Sequence, residues 1–214
     1  MDKTSVRNRV KKPSKLHAVA PANNFNAAYF RKFYLNAATR VVTAGEMRSR
    51  AAVIVSALRQ CQIPVRSILD AGCGIGLLRA PFKKLLPRAR YTGLEASQYL
   101  CERYGWTHGS IDDFKAREPF DLVVCYDVLQ YLSDAQASRA IANFSALSAA
   151  ALYVSALTIE DWRENCDRSR TDRAVHLRAG TWYQRRLKRH FRYVGFGIWV
   201  RKNVTAILWE MERP

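Results

Sequence analysis

The sequence lacks a long apolar run, has few acids and few glycines, and its cysteines stand apart from one another. No stretch of about 18 apolar residues occurs, and the basic, polar start has no apolar leader core, so membrane insertion and secretion are not expected and a cytoplasmic setting is. The five cysteines are odd in number and scattered at Cys61, Cys73, Cys101, Cys125 and Cys166. No CxxC pair is present, which argues against a disulfide framework and a zinc site and predicts reduced, mostly buried thiols.

The shortage of acid is the largest departure in bulk composition: 18 Asp and Glu stand against 35 Lys and Arg, a net charge of +17. Residues 1–50 carry Lys3, Arg7, Arg9, Lys11, Lys12, Lys15, Arg31, Lys32, Arg40, Arg48 and Arg50, opposed only by Asp2 and Glu46. A second cluster runs Arg185, Arg186, Lys188, Arg189 and Arg192. Such a field favours anionic partners, whether nucleic acid, a phosphate-bearing substrate or an acidic surface, and equally describes a solvated basic tail and the outer face of a helix.

What is present organises around one domain with appendages, as 214 residues allow. Residues 1–23 show no sustained apolar period and read as a flexible basic arm. Residues 24–62 read as a helical lid. Phe25, Tyr29, Phe30, Phe33 and Tyr34 recur at helical spacing, and Thr43 with Glu46 forms a capping box opening a helix through about Gln60. From residue 63 to 214 short apolar runs alternate with helical stretches, which predicts an α/β, Rossmann-like, doubly wound and mostly parallel sheet. The seven expected strands are Ser67–Ala71, Arg90–Leu94, Thr107–Gly109, Leu122–Tyr126, Leu152–Ala156, Phe196–Arg201 and Ala206–Met211. Helices fit Leu77–Leu86, Ser97–Tyr104, Asp134–Ser148 and Thr181–Phe191. The last two strands leave no room for a helix across Lys202 and Asn203, so they are expected to close the sheet as an antiparallel hairpin.

Of the ten glycines, three fall in one short run, Ala71-Gly72-Cys73-Gly74-Ile75-Gly76, between an expected strand and a helix. Glycine there allows a sharp turn and brings backbone N–H groups close to a ligand. The spacing is GxGxG, whereas a dinucleotide fingerprint asks for GxGxxG and finds Leu77 at its last position. Glu95, at the end of the next strand, is placed to accept hydrogen bonds from two vicinal ribose hydroxyls. Asp70, ahead of the glycines, is placed to anchor the loop or to hold an ammonium group through a water.

The segment from about Ile68 to Leu132 resembles the class I S-adenosylmethionine-dependent methyltransferases, with Leu69–Gly76 as cofactor loop, Glu95 as ribose-binding acid and Phe120–Leu132 as the fourth-strand segment. The resemblance implies S-adenosylmethionine as cofactor. It implies contacts along Asp70, Ala71, Gly72, Cys73, Gly74 and Gly76, then Glu95 and Ala96, then Cys125 and Tyr126, with Tyr34 added from the lid. Two positions depart from the family pattern. Ser110 stands where an acid often holds the adenine amino group, leaving Ser110 or Asp112 to accept that bond and Ile111 to pack on the adenine. Tyr131 stands where the family often has His.

A sulfonium methyl donor is already activated, so the enzyme needs in-line positioning and, for a protic acceptor, a base. The Asn/Asp-Pro-Pro-Tyr/Phe signature of amino-directed DNA methylation is absent, and Cys125 is not preceded by Pro as in cytosine-C5 enzymes. Cys125 and Cys73 also read as small buried residues beneath the cofactor. The polar stretch Thr158–Gly180 is long enough to carry function. The resemblance implies that this stretch and the N-terminal helices cover the site, with Trp162, His176 and, just beyond, Trp182 as lid candidates facing Tyr29, Tyr34 and Arg40. His176 is the first candidate base and Asp127 the second. The expected function is methyl transfer to oxygen or nitrogen of a small-molecule acceptor; the alternative is an RNA methyltransferase or nucleic-acid-binding protein using the basic arm and the Arg185–Arg192 cluster.

Overall fold

The computed structural model describes residues 25–212; the basic arm expected over residues 1–23 lies outside the described residues. Asn26 caps a short helix α1 (Ala27–Phe30) by accepting from the N–H groups of Ala28 and Tyr29, and the chain continues as a π-helical turn through Arg31–Leu35. Helix α2 (Ala44–Gln60) opens on the Thr43–Glu46 capping box read in the sequence and buries Met47, Ile54 and Leu58.

The alternation that follows is β1 (Ser67–Ala71), α3 (Arg79–Leu85), β2 (Arg90–Glu95), α4 (Gln98–Tyr104), β3 (Thr107–His108) and β4 (Phe120–Tyr126). After a 3-10 turn at Leu129–Tyr131 come α5 (Asp134–Leu147), β5 (Ser148–Ser155), α6 (Ile159–Glu164), α7 (Gly180–Leu187), β6 (Phe191–Gly195) and β7 (Ile198–Arg201). The seven strands form one sheet in the order β3-β2-β1-β4-β5-β7-β6. Strand β7 runs antiparallel to both β5 and β6, and the other pairings are parallel.

The hairpin is therefore present but sits one strand earlier than the sequence suggested. Its turn is Phe196-Gly197, not Lys202-Asn203, and the residues expected as the last strand, Ala206–Met211, end in a 3-10 turn at Glu210–Glu212. Three successive positive φ angles, at Gly195, Phe196 and Gly197, reverse the chain there. Helix α7 stops at Leu187, so that Phe191 enters the sheet as a buried strand residue.

Apolar cores lie on both faces. Ile141 and Phe144 of α5 with Tyr183 and Leu187 of α7 cover one, and Ile54 and Leu58 of α2 with Phe82 of α3 cover the other. Parallel register sets the ends of three strands side by side, with Ala71 opposite Leu94 on β2 and opposite Cys125 on β4. Open α/β sheets bind ligands at such carboxyl edges, where the strand order reverses.

Candidate active site

The floor of the site is the glycine loop folded onto the end of β2. Gly72 turns out of β1 at φ +75° and donates to the Leu94 carbonyl at 2.7 Å, and the Cys73 N–H reaches the same oxygen at 3.1 Å. A Cβ on Gly72 would lie 2.2 Å from Val128 Cγ2, so only glycine fits. A Cβ on Gly74 would meet nothing within 4 Å, because that position faces open space. Glu95 is buried, and its carboxylate accepts from the Gly74 N–H at 2.8 Å and the Ser97 N–H at 2.9 Å. Burial pushes its pKa up and these N–H groups oppose the rise. A carboxylate has about four acceptor sites, so capacity remains for further donors.

Above the loop lies a cavity of about 300 Å³. Gly72, Gly74, Glu95, Ala96, Gly109, Ser110 and Ile111 form its floor; Asp127, Val128, Tyr131, Leu132 and Gln136 form a wall; Phe25, Tyr29, Phe30 and Tyr34 form the roof. The Phe25 ring meets Tyr29 and Tyr131 edge-on at 5.0 and 5.1 Å, and the Tyr29 and Tyr131 hydroxyls hydrogen-bond at 2.8 Å. The Ser97 hydroxyl donates to the Phe25 carbonyl at 2.6 Å and so ties roof to floor. Burial pushes both tyrosine hydroxyls well above their ordinary range, which keeps them neutral.

Residues 69–150, which hold the loop, Glu95 and this wall, match the sequence model of a family described as "Methyltransferase domain". Over that stretch the chain is similar to methyltransferase domains. Its fold is shared with the N-methyltransferase NodS from Bradyrhizobium japonicum, solved with S-adenosylhomocysteine, at 20% identity and TM-score 0.55 over 84% of this chain and 100% of that one. The magnesium protoporphyrin IX methyltransferase ChlM from Synechocystis aligns at 18% identity and TM-score 0.59 over 85% and 98%. DesVI from Streptomyces venezuelae aligns at 18% and 0.59 over 82% and 97%. No curated protein matches by sequence.

Gly72, Gly74, Glu95, Ala96, Ser110, Ile111, Asp127 and Tyr34, all singled out in the sequence, line one cavity. Asp70 lies behind the loop, 2% exposed, and accepts the Tyr91 hydroxyl at 2.5 Å; burial raises its pKa to about 7. With Cys73, Tyr34 and Tyr126 it borders a smaller pocket of about 40 Å³ under the glycines. Ala71 and Cys125 are fully buried strand residues away from the cavity lining. Gly76 and Gly93 serve Trp106: a Cβ on either would come within 2.7 or 2.6 Å of its ring, and the indole N–H donates to the Gly74 carbonyl at 2.9 Å. Asp112 does not line the cavity. Its carboxylate pairs with Arg139 at 2.6 Å and accepts the Ser110 hydroxyl at 2.5 Å, so Ser110 is the one of the two that faces inward.

Asp127, just past β4, sits in the wall at φ +55°, and burial raises its pKa. His176, Trp162, Trp182 and Arg40 do not line the cavity, so the expected second lid is not built from them. The stretch after β5 braces the wall from behind. The His176 N–H donates to the Gln130 carbonyl at 2.7 Å, while burial and the nearby Arg178 lower the imidazole pKa. Arg178, 5% exposed, reaches the Leu129 carbonyl at 2.9 Å, the Leu132 carbonyl, Tyr183 at 3.1 Å and Asp134 at 2.7 Å. Sequence reasoning missed Arg178 and Trp106, for which no local pattern exists. It also missed the Tyr29–Tyr131 pair, whose only signal was tyrosine at a position where relatives often have histidine.

Proposed function

We propose that the chain binds S-adenosylmethionine in this cavity and transfers its methyl group to an oxygen or nitrogen of a small-molecule acceptor. The observation that carries the reading is the Glu95 carboxylate set at the end of β2, beside a glycine loop whose Gly74 faces open space, under an aromatic roof. The residues fit the cofactor. Glu95 has acceptor capacity for two ribose hydroxyls, Ser110 offers an oxygen to the adenine amino group, and Ile111 supplies an apolar face for the ring. When bound, the cofactor supplies a methyl group activated by its sulfonium. The chain's own part is then to hold donor and acceptor in line and exclude water. Asp127 is the carboxylate of the wall best placed to take a proton from the acceptor, and its raised pKa brings it toward working pH.

Phe25, Tyr29, Phe30 and Tyr34 close over the cavity, which favours a small acceptor over a polymer strand. The names of two structural neighbours agree: ChlM is called a magnesium protoporphyrin IX methyltransferase and BpumL a plantazolicin methyltransferase. Calorimetry with S-adenosylmethionine tests the reading. Micromolar binding that falls about 100-fold in Glu95→Gln, the worth of roughly two weakened charge-assisted hydrogen bonds, is expected. Absence of binding to the unmodified protein would sink it. A second reading rests on the exposed side chains of Arg185, Lys188, Arg189 and Arg192 beside α7. If nucleic acid is the partner, RNA affinity drops steeply as salt is raised; salt-independent affinity counts against it.

A further inference from the structure

Arg50 of α2 lines a groove with Tyr153, Ser155, Val53 and Phe196, at the carboxyl end of β5 and beside that of β4. Its guanidinium lies 4.1 Å from the centroid of the Tyr126 ring and donates to the Tyr153 hydroxyl. Its Nε is buried with no hydrogen-bond partner. Among the described residues no carboxylate pairs with it: the ion pairs there are Arg139–Asp112 and Arg178–Asp134. Glu46, the groove's own acid, is turned back on Thr43, accepting from its N–H and hydroxyl. A half-buried cation with no carboxylate in ion-pair contact is a site for an anion. The charge match selects the kind. One guanidinium balances a monoanion, whereas a phosphate dianion would keep an excess negative charge near Asp127, whose field already reaches Arg50. The groove's rim is apolar. Phe196, held at φ +50° and 81% exposed, and Val53, 44% exposed, flank the cation.

We infer that Arg50 binds a carboxylate carried on the apolar body of the methyl acceptor, as a specificity residue. Only the word acceptor rests on the methyl-transfer reading; the carboxylate site stands on the groove itself. A guanidinium's planar fork suits two-point recognition of a carboxylate.

The test is protein-observed NMR of the arginine Nε–Hε signals during titration with benzoate, benzamide and phenyl phosphate. Benzoate is expected to move the Arg50 resonance saturably, with benzamide and phenyl phosphate binding at least about tenfold more weakly, the worth of one charge-assisted hydrogen bond. In Arg50→Gln the benzoate response at the groove is lost, while calorimetric affinity for S-adenosylmethionine stays within about twofold. Equal binding of benzamide, tighter binding of phenyl phosphate, or an unmoved Arg50 resonance in the unmodified protein would overturn the inference. Loss of S-adenosylmethionine binding in the unmodified protein would count against methyl transfer and leave the carboxylate result readable.

Discussion

The floor and the roof of the cavity are built by different means. The floor is backbone: Gly72 and Cys73 hang from the Leu94 carbonyl, Gly74 from the Glu95 carboxylate, and the parallel register of β1, β2 and β4 fixes where each stands. The roof is side chain: rings of Phe25, Tyr29, Phe30 and Tyr34 packed edge-on or tilted, fastened by one hydroxyl pair and by Ser97. Backbone held in a sheet has few alternatives, and a small error there is costly. Rings on a short helix of four residues with a π-helical extension can shift without breaking a ladder. A rigid floor under an adjustable roof suits an enzyme whose donor is constant and whose acceptor must enter and leave.

The contrast can be broken most severely at Gly72. Alanine there combines a positive φ with a contact inside van der Waals range of Val128, and is expected to destabilise the fold by roughly 2 to 6 kcal/mol, read as the shift of the urea midpoint. Next comes Asp70. Its carboxyl is raised from 3.8 to about 7 by burial in the folded chain, so the neutral form is favoured on folding. Its stabilising share is present below pH 4 and is lost as pH rises toward 7, up to about 4 kcal/mol in all. Asp70→Asn is expected to flatten the fall in melting temperature across that window; an unchanged slope would mean Asp70 ionises freely in the fold. The smallest effect belongs to the roof. Tyr29→Phe removes one hydroxyl bond to Tyr131 and is expected to cost about 1 kcal/mol of stability with cofactor affinity unchanged within about twofold. A tenfold loss of affinity would show that the roof holds the donor as firmly as the floor does.

The floor was readable before any coordinates because its chemistry is local. A strand, a GxGxG turn and an acid at the end of the next strand follow one another within 28 residues of chain, Ile68 to Glu95, and each has its own signature. The hairpin was foreseen in kind and misplaced by one strand, because Phe191–Gly195 continues an apolar helical pattern and only the triple positive φ at Gly195–Gly197 marks the reversal. His176 was chosen for its chemistry on a long polar stretch, and that stretch folds against the outside of the wall. Asp112 and Ser110 were indistinguishable by spacing; Arg139, on α5, takes the carboxylate and leaves the hydroxyl to the cavity.

By itself, then, the sequence determined the fold class, the glycine loop and the acid beside it, since these depend on glycine conformation, hydrophobic period and residues near one another in the chain. Tertiary structure alone decided which distant residues meet in and around the site: Tyr29 with Tyr131, Trp106 behind Gly76, Arg178 under the wall, and Arg50 beside Tyr126 and Tyr153. Those pairings join segments up to 103 residues apart, as Arg50 and Tyr153 are. Their partners are selected by packing and by the need to satisfy buried polar groups, and neither leaves a local pattern in the chain.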